Sequence, residues 1–449
     1  MNRCIRADEL QHEHHPASRT VIVRSCSTGI HQQITSSIIS VGRVVTVGPY
    51  FCHVTVLEHR ETPVALERST PQDVRRVVIA AESFLPHMNG VTNSVLRAVE
   101  HLTARGYEVS VLAPGPGKTL LESVEVHRTR AIGMPGYKDV RLTIPSASIA
   151  DFLVDQRPDV VHVAAPFVLG SMVLRQCRRL GIPTVAIYQT DVAGFARDYR
   201  LGKLAAAAWR IVAHIHSLAD RTLAPSTAAI ADLERHGVQN VQLWARGVNS
   251  EKFNPAHRNE VLRRMFDGHQ RMIVGYVGRL AREKRIDLLA PLANDPRFSV
   301  VIVGDGPCRS ALKKLMPKAY FMGFAEGQAL SELYASFDVF VHAGLSETFC
   351  QSIQEALASG VPVVAPASGG PLDLVEAGVN GLFWNPERPE SLVEMVELLK
   401  VNPELHGMLA ANARQSVVAR TWSSIMGQLE DHYHQVVEKV SGDRFRGAA

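Results

Sequence analysis

The sequence predicts an α/β protein built from two successive doubly wound units that face each other across a cleft. Three observations carry this expectation. From residue 74 onward, short apolar, β-branched runs alternate with helical patterns, as βαβ units require. The alternation comes as two series of similar length. Between them lies a turn-rich stretch, Ala245-Arg246-Gly247-Val248-Asn249, which leads into Phe253-Asn254-Pro255.

The first series opens at Arg75-Arg76-Val77-Val78-Ile79-Ala80-Ala81, an apolar run of the length of a buried strand. Its strands are expected at 76–81, 108–113, 123–128, 159–163, 183–188 and 221–224, with helices over 93–105 and 170–180 among the connections. The second series places strands at 272–277, 298–303, 318–322, 338–342, 362–365 and 381–384. Four segments follow: 1–73 as an N-terminal extension, 74–244 as the first Rossmann-like unit, 245–420 as the second, and 421–449 as a C-terminal helix and tail packing back on the first unit. Residues 1–73 hold three of the six cysteines and short β-branched runs at 44–47 and 53–57, without helical periodicity. No methionine falls between Met1 and Met88. The segment therefore reads either as an extension without regular order or as a start placed upstream of the true one near 74.

A chain of 449 residues is long enough for two full cores. Its net charge of +4 suits an anionic substrate or lipid surface and is too small to indicate nucleic acid. The six cysteines show no Cys-x-x-Cys or metal-ligand spacing, so reduced thiols are expected rather than a disulfide framework. No apolar run reaches the roughly 18–20 residues that span a bilayer; the longest, 163–174, is interrupted by Pro166 and Gly170. A cytoplasmic location follows, with membrane contact only at the surface. Basic residues for such contact are Arg197, Arg200, Lys203 and Arg210 around the apolar run 204–209, and Arg175, Arg178 and Arg179 on another helix.

Residues 344–366 carry the most chemistry. Glu347 and Glu355 stand eight apart, the first in a loop after an apolar strand and the second inside a helix ended by Gly360. The N-terminus of that helix offers unpaired N–H groups and a positive dipole end, a seat for phosphate. The two carboxylates cannot hold phosphate; they suit sugar hydroxyls. Arg279 and Lys284 follow the first strand of the second unit, a fork and a point charge fitted to a diphosphate. Gly304-Asp305-Gly306-Pro307 resembles a dinucleotide loop but has Arg309 in place of the third glycine, and Gly115–Thr119 has Leu112 where a P-loop needs glycine. Asn89-Gly90 precedes the first helix and is expected to allow positive φ near a ligand. Gln189 ends the fifth strand within Tyr188-Gln189-Thr190-Asp191, and His162 reads as a packed core histidine. With no Asp-x-Asp, no bound metal is expected.

Taken in order, Gly-Arg-Leu-x-x-x-Lys at 278–284, Gly-Asp-Gly-Pro at 304–307 and Glu-x7-Glu at 347–355 resemble family 4 of the retaining GT-B glycosyltransferases, over roughly residues 75–435. The resemblance implies two Rossmann-like domains. At finer grain the chain is similar to actinobacterial GDP-mannose-dependent α-mannosyltransferases acting on glycolipids, through Ala81–Pro86, Tyr188–Asp191, Trp244–Val248 and Glu347–Gln351. It implies that Arg279 and Lys284 grip the donor diphosphate, Glu355 binds the ribose, and Glu347 contacts the transferred sugar. Backbone N–H groups near Phe349 and Cys350 assist, Gly90 lets the first unit approach the diphosphate, and the 322–324 loop borders the base. It further implies a nucleotide-sugar donor, a glycolipid acceptor, no metal, and peripheral contact with the inner face of the plasma membrane. Two departures stand out: Asn89-Gly90 replaces a frequent Gly-Gly, and Gln189 a frequent histidine. A sugar-nucleotide epimerase of the same fold and a catalytically silent binder are the alternative readings.

Overall fold

The computed structural model describes residues 43–45, 54–56, 74–134, 137–189 and 202–447. Two compact units divide the chain, Met1–Glu67 and Arg68–Ala449. In the first, β1 (Arg43–Val45) and β2 (Val54–Val56) pair antiparallel with Val44 opposite Thr55. The remaining residues of 1–73 lie outside the described ones.

The second unit holds two lobes, each built on a parallel sheet. The first lobe contains β3 (Arg76–Ala81), β4 (Glu108–Pro114), β5 (Leu120–Leu121), β6 (Val124–Thr129), β7 (Ala131–Met134), β8 (Tyr137–Thr143), β9 (Val160–Ala164), β10 (Thr184–Ile187), β11 (Arg221–Ala224) and β12 (Val241–Leu243). Its main sheet runs β12-β11-β10-β9-β3-β4-β6-β5, parallel except for β5. Because helices cover both faces, β3 is apolar without alternation. Val77, Ile79 and Ala81 enter one core while Val78 and Ala80 enter the other. The second lobe contains β13 (Met272–Val277), β14 (Phe298–Val303), β15 (Tyr320–Gly323), β16 (Val339–Val341), β17 (Val363–Pro366) and β18 (Gly381–Trp384). They form an all-parallel sheet in the order β15-β14-β13-β16-β17-β18.

Two local readings need correction. The first helix begins at Gly90 rather than 93, because Asn89 is its N-cap: extended at φ −152°, it accepts a hydrogen bond from Thr92 N–H at 2.9 Å. Gly90 is therefore helical, and Asn89-Gly90 is not a positive-φ turn. The strand expected at 318–322 runs Tyr320–Gly323, and β7 and β8, which pair antiparallel with Ala131 opposite Thr143, are additional to the expected strands.

The chain passes between lobes twice, and the crossings run side by side: Val248 bridges Thr421, and its N–H donates to Arg420 O at 2.9 Å. The helix Trp422–Gly447 then returns to the first lobe. Ile425, Met426, Leu429 and Tyr433 share its core with Val77 and Ile79, and Trp244 Nε1 donates to Ile425 O at 2.9 Å. His162, only 1% exposed, lies with Nδ1 2.6 Å from the Tyr433 hydroxyl, and burial lowers its pKa to about 3. It is a neutral core histidine. Tyr433→Phe leaves that buried nitrogen unpaired and is expected to cost about 1–3 kcal/mol in urea unfolding, with nucleotide binding unchanged.

Candidate active site

In the second lobe the chain order reverses between β13 and β16, so a crevice opens at their carboxyl ends. The loop after β13 carries Arg279 and the 3₁₀ turn Arg282–Lys284. After β16 the chain runs through His342 and Glu347 to Cys350, N-cap of the helix Gln351–Ala358. Neighbouring turns fix both loops. A Cβ on Gly304, which has φ +128°, would lie 2.0 Å from Gly278 O, and Leu280 N–H donates to Asp305 O at 2.9 Å. The Gly-Asp-Gly-Pro turn thus serves to seat the Arg279 loop. On the other side a Cβ on Gly370 would lie 2.5 Å from Phe349 Cα, and its N–H donates to Glu347 O at 2.9 Å.

The two loops meet through charge. Lys284 Nζ pairs with Glu347 Oε1, and His342 Nε2 lies 3.3 Å from the same oxygen. Cys350 Sγ lies 3.5 Å from His342 Nδ1. Burial works against the Glu347 carboxylate, but His342 and Lys284 outweigh it and bring the pKa down to about 2. Burial likewise opposes the His342 imidazolium, and Cys350 and Glu347 prevail to raise it to about 10. Lys284 is raised as well, Glu347 overcoming the cost of burial. Two basic side chains thus flank one carboxylate beside a helix N-terminus that no side chain caps, and open N–H groups of that kind attract an anion.

Of the residues singled out from sequence, the fold brings Lys284, Glu347 and Cys350 into one cluster, with Phe349 buried beneath at 3% exposure. Arg279 stands apart, 63% exposed and 3.9 Å from Glu283. Glu355 lies deeper, accepting from the Tyr334 hydroxyl at 3.0 Å. His342, Glu347 and Cys350 offer ligand atoms within 4.8 Å of one another, a grouping hidden in the sequence. The two imidazole nitrogens face different partners and Lys284 holds the same carboxylate, so the cluster is already compensated without a cation.

Across the gap, Gly90 belongs to the first lobe and meets Arg246, a member of the Trp244–Val248 motif for which sequence reading supplies no role. Arg246 Nη2 donates to Gln189 Oε1 at 2.7 Å and Nη1 to Gly90 O at 3.4 Å. Thr348 Oγ1 donates to Gln189 O at 3.3 Å, tying this group to the Glu347 loop. Thr190 and Asp191, with Arg197 and Arg200, lie outside the described residues. Trp209, expected on a membrane-facing run, instead stacks on His236 at 4.0 Å and on Tyr188 at 6.3 Å. The first lobe has its own reversal, between β3 and β9, but there the Glu82 carboxylate accepts N–H bonds of 3.0–3.2 Å from Phe167, Val168, Leu169 and Gly170. That helix N-terminus is filled from within.

Two parallel-sheet lobes joined by paired crossings, with an open helix N-terminus at the strand reversal of the second, have the layout of a two-lobed glycosyltransferase. The same layout recurs in sucrose-phosphate synthase from Thermosynechococcus elongatus, with TM-score 0.67 and 20% identity over 81% of this chain and all of that one. Residues 88–252 match the family described as Glycosyltransferase Family 4, and 263–416 that described as Glycosyl transferases group 1. The chain belongs to glycosyltransferase family 4. A GDP-mannose-dependent alpha-mannosyltransferase of Mycolicibacterium smegmatis is 46% identical over 82% of this chain and 99% of its own length. A GDP-mannose-dependent alpha-(1-6)-phosphatidylinositol dimannoside mannosyltransferase of Mycobacterium tuberculosis is 29% identical, covering 77% and 93%.

Burial raises the Glu355 carboxyl to about 7. Its folded pKa stands above the unfolded value of ~4.3, so its contribution to stability falls as pH rises between those values. Glu355→Gln is expected to raise the melting midpoint near pH 8 by a few degrees, and by much less near pH 5, in thermal unfolding without ligand.

Proposed function

We propose that this protein is a retaining hexosyltransferase that moves mannose from GDP-mannose to a glycolipid acceptor. The observation that carries the reading is the Lys284–Glu347 pair beside an open helix N-terminus, in a chain 46% identical to a GDP-mannose-dependent mannosyltransferase along nearly its whole length. The lipid-linked acceptor is supported by the relative named for a phosphatidylinositol dimannoside.

In this reading Arg279 and Lys284 take the donor diphosphate, with the Phe349 and Cys350 N–H groups. Lys284 turns toward phosphate, and Glu347, still paired with His342, accepts from hydroxyls of the mannose. Glu355 accepts from the ribose. Phe324, 75% exposed just past β15, offers a ring face to the base. The bond between the anomeric carbon and the phosphate oxygen breaks while the acceptor hydroxyl oxygen attacks from the same face. Its proton passes to the departing phosphate, and configuration is retained. The protein stabilises charge developing on the diphosphate and holds both substrates on one face of the anomeric carbon. No metal is assigned a part, because side chains and backbone N–H groups supply the positive charge.

No helix among the described residues is long and apolar enough to cross a membrane. A cytoplasmic enzyme touching the inner face of the plasma membrane fits a lipid acceptor, and Arg175, Arg178 and Arg179 on the helix Val168–Leu180 would contribute to that contact. Flotation with anionic liposomes should recover the protein, and a triple Ala variant should lose that recovery.

Lys284→Ala is expected to lower mannosyl transfer by roughly two to three orders of magnitude. Near-normal turnover in that variant would remove the diphosphate assignment. Thermal-shift screening of the native protein should favour GDP-mannose over UDP- and ADP-sugars; equal shifts with all three would remove the donor assignment.

A further inference from the structure

Arg246 has no carboxylate partner among the described residues. Its two resolved partners are neutral oxygens, Gln189 Oε1 and the Gly90 carbonyl. By directing its amide oxygen to Arg246, Gln189 leaves Nε2 as its donor end, and Nε2 is buried with no hydrogen-bond partner among the described residues. A half-buried guanidinium and a buried, unsatisfied amide N–H group thus stand side by side, rich in donors and short of acceptors. Burial lowers the Arg246 pKa to about 10, which leaves it charged at neutral pH. Such a pair is stable only with an anion or several acceptor oxygens close at hand.

Position narrows the choice of anion. Arg246 lies in the linker, where its carbonyl accepts from Gln354 Nε2 at 3.1 Å, so its backbone is fixed to the helix Gln351–Ala358. Its side chain reaches the first lobe at Gly90. Gln189 O accepts from Thr348, the residue between Glu347 and Phe349. The donor pair therefore lies beside the loop that carries Glu347, at the junction of the linker and the first lobe.

We infer that Arg246, with the Gln189 amide, binds the outer phosphate of the nucleotide donor and takes up charge as that phosphate leaves. The inference rests on the nucleotide-sugar reading above. Arg279 and Lys284 then hold the diphosphate from the second lobe while Arg246 closes on it from the linker, so the phosphate oxygen freed by bond cleavage faces a cation from each side.

The test compares nucleoside diphosphates with monophosphates by calorimetry on the full chain. GDP with GMP, UDP with UMP and ADP with AMP are run against wild type, Arg246→Gln and Arg246→Lys. For whichever base the wild type prefers, Arg246→Gln should weaken the diphosphate roughly 10- to 100-fold and leave the monophosphate within about twofold. Arg246→Lys should fall between, keeping the charge without the fork. Equal weakening of both nucleotides would show a structural part, and unchanged binding of both with a raised KM for the lipid acceptor would move the residue to the acceptor; either result overturns the inference. If Arg246→Gln does not fold, Arg246→Lys and Gln189→Leu carry the same comparison. A wild type that prefers UDP or ADP would sink the mannosyl-donor reading while still testing Arg246.

Discussion

The contact between Lys284 and Glu347 is the constraint on which the site depends. It joins the loops that leave β13 and β16, the two strands flanking the reversal of the second sheet. Each loop is placed by a close backbone approach, Gly304 against Gly278 and Gly370 against Phe349. Removing Glu347 would leave Lys284 uncompensated in a partly buried crevice, a cost of several kcal/mol. His342, 3.3 Å from the same oxygen, helps keep the carboxylate ionised.

The two lobes solve the same geometric situation in opposite ways. Both are doubly wound, and both present a helix N-terminus near the reversal of strand order. In the first lobe Glu82 fills that terminus with four N–H bonds, so no phosphate can sit there. In the second, Cys350 provides no cap and holds a left-handed backbone at φ +81°, turning the first N–H groups of the next helix toward the crevice. One carboxylate, present or absent, decides which lobe keeps an open helix N-terminus at its strand reversal.

Much of this was legible in the chain. Buried parallel strands are continuous apolar runs, and β3, β13, β14 and β18 fall where those runs lie, because burial on both faces leaves no alternation to misread. Short edge elements such as β12 and the β7–β8 pair were not, since two to seven residues carry too little pattern. In the site, Lys284 and Glu347 were visible as separate motifs, but their direct pairing is a fact of sheet order. His342 follows Val339-Phe340-Val341 and reads as core from sequence; only the juxtaposition with Glu347 and Cys350 gives it a charge. Arg246 looked like part of a turn between domains, because its partners lie 57 and 156 residues away.

The last helix, Trp422–Gly447, supplies Ile425, Met426, Leu429 and Tyr433 to a core otherwise made from residues 74–244. A ribosome delivers chains from the N-terminus, and lobes usually fold as they emerge. Here the helix Gly90–Ala104 packs on the same face of the sheet as soon as the lobe is made, but the core it begins is finished only when the last helix is synthesised.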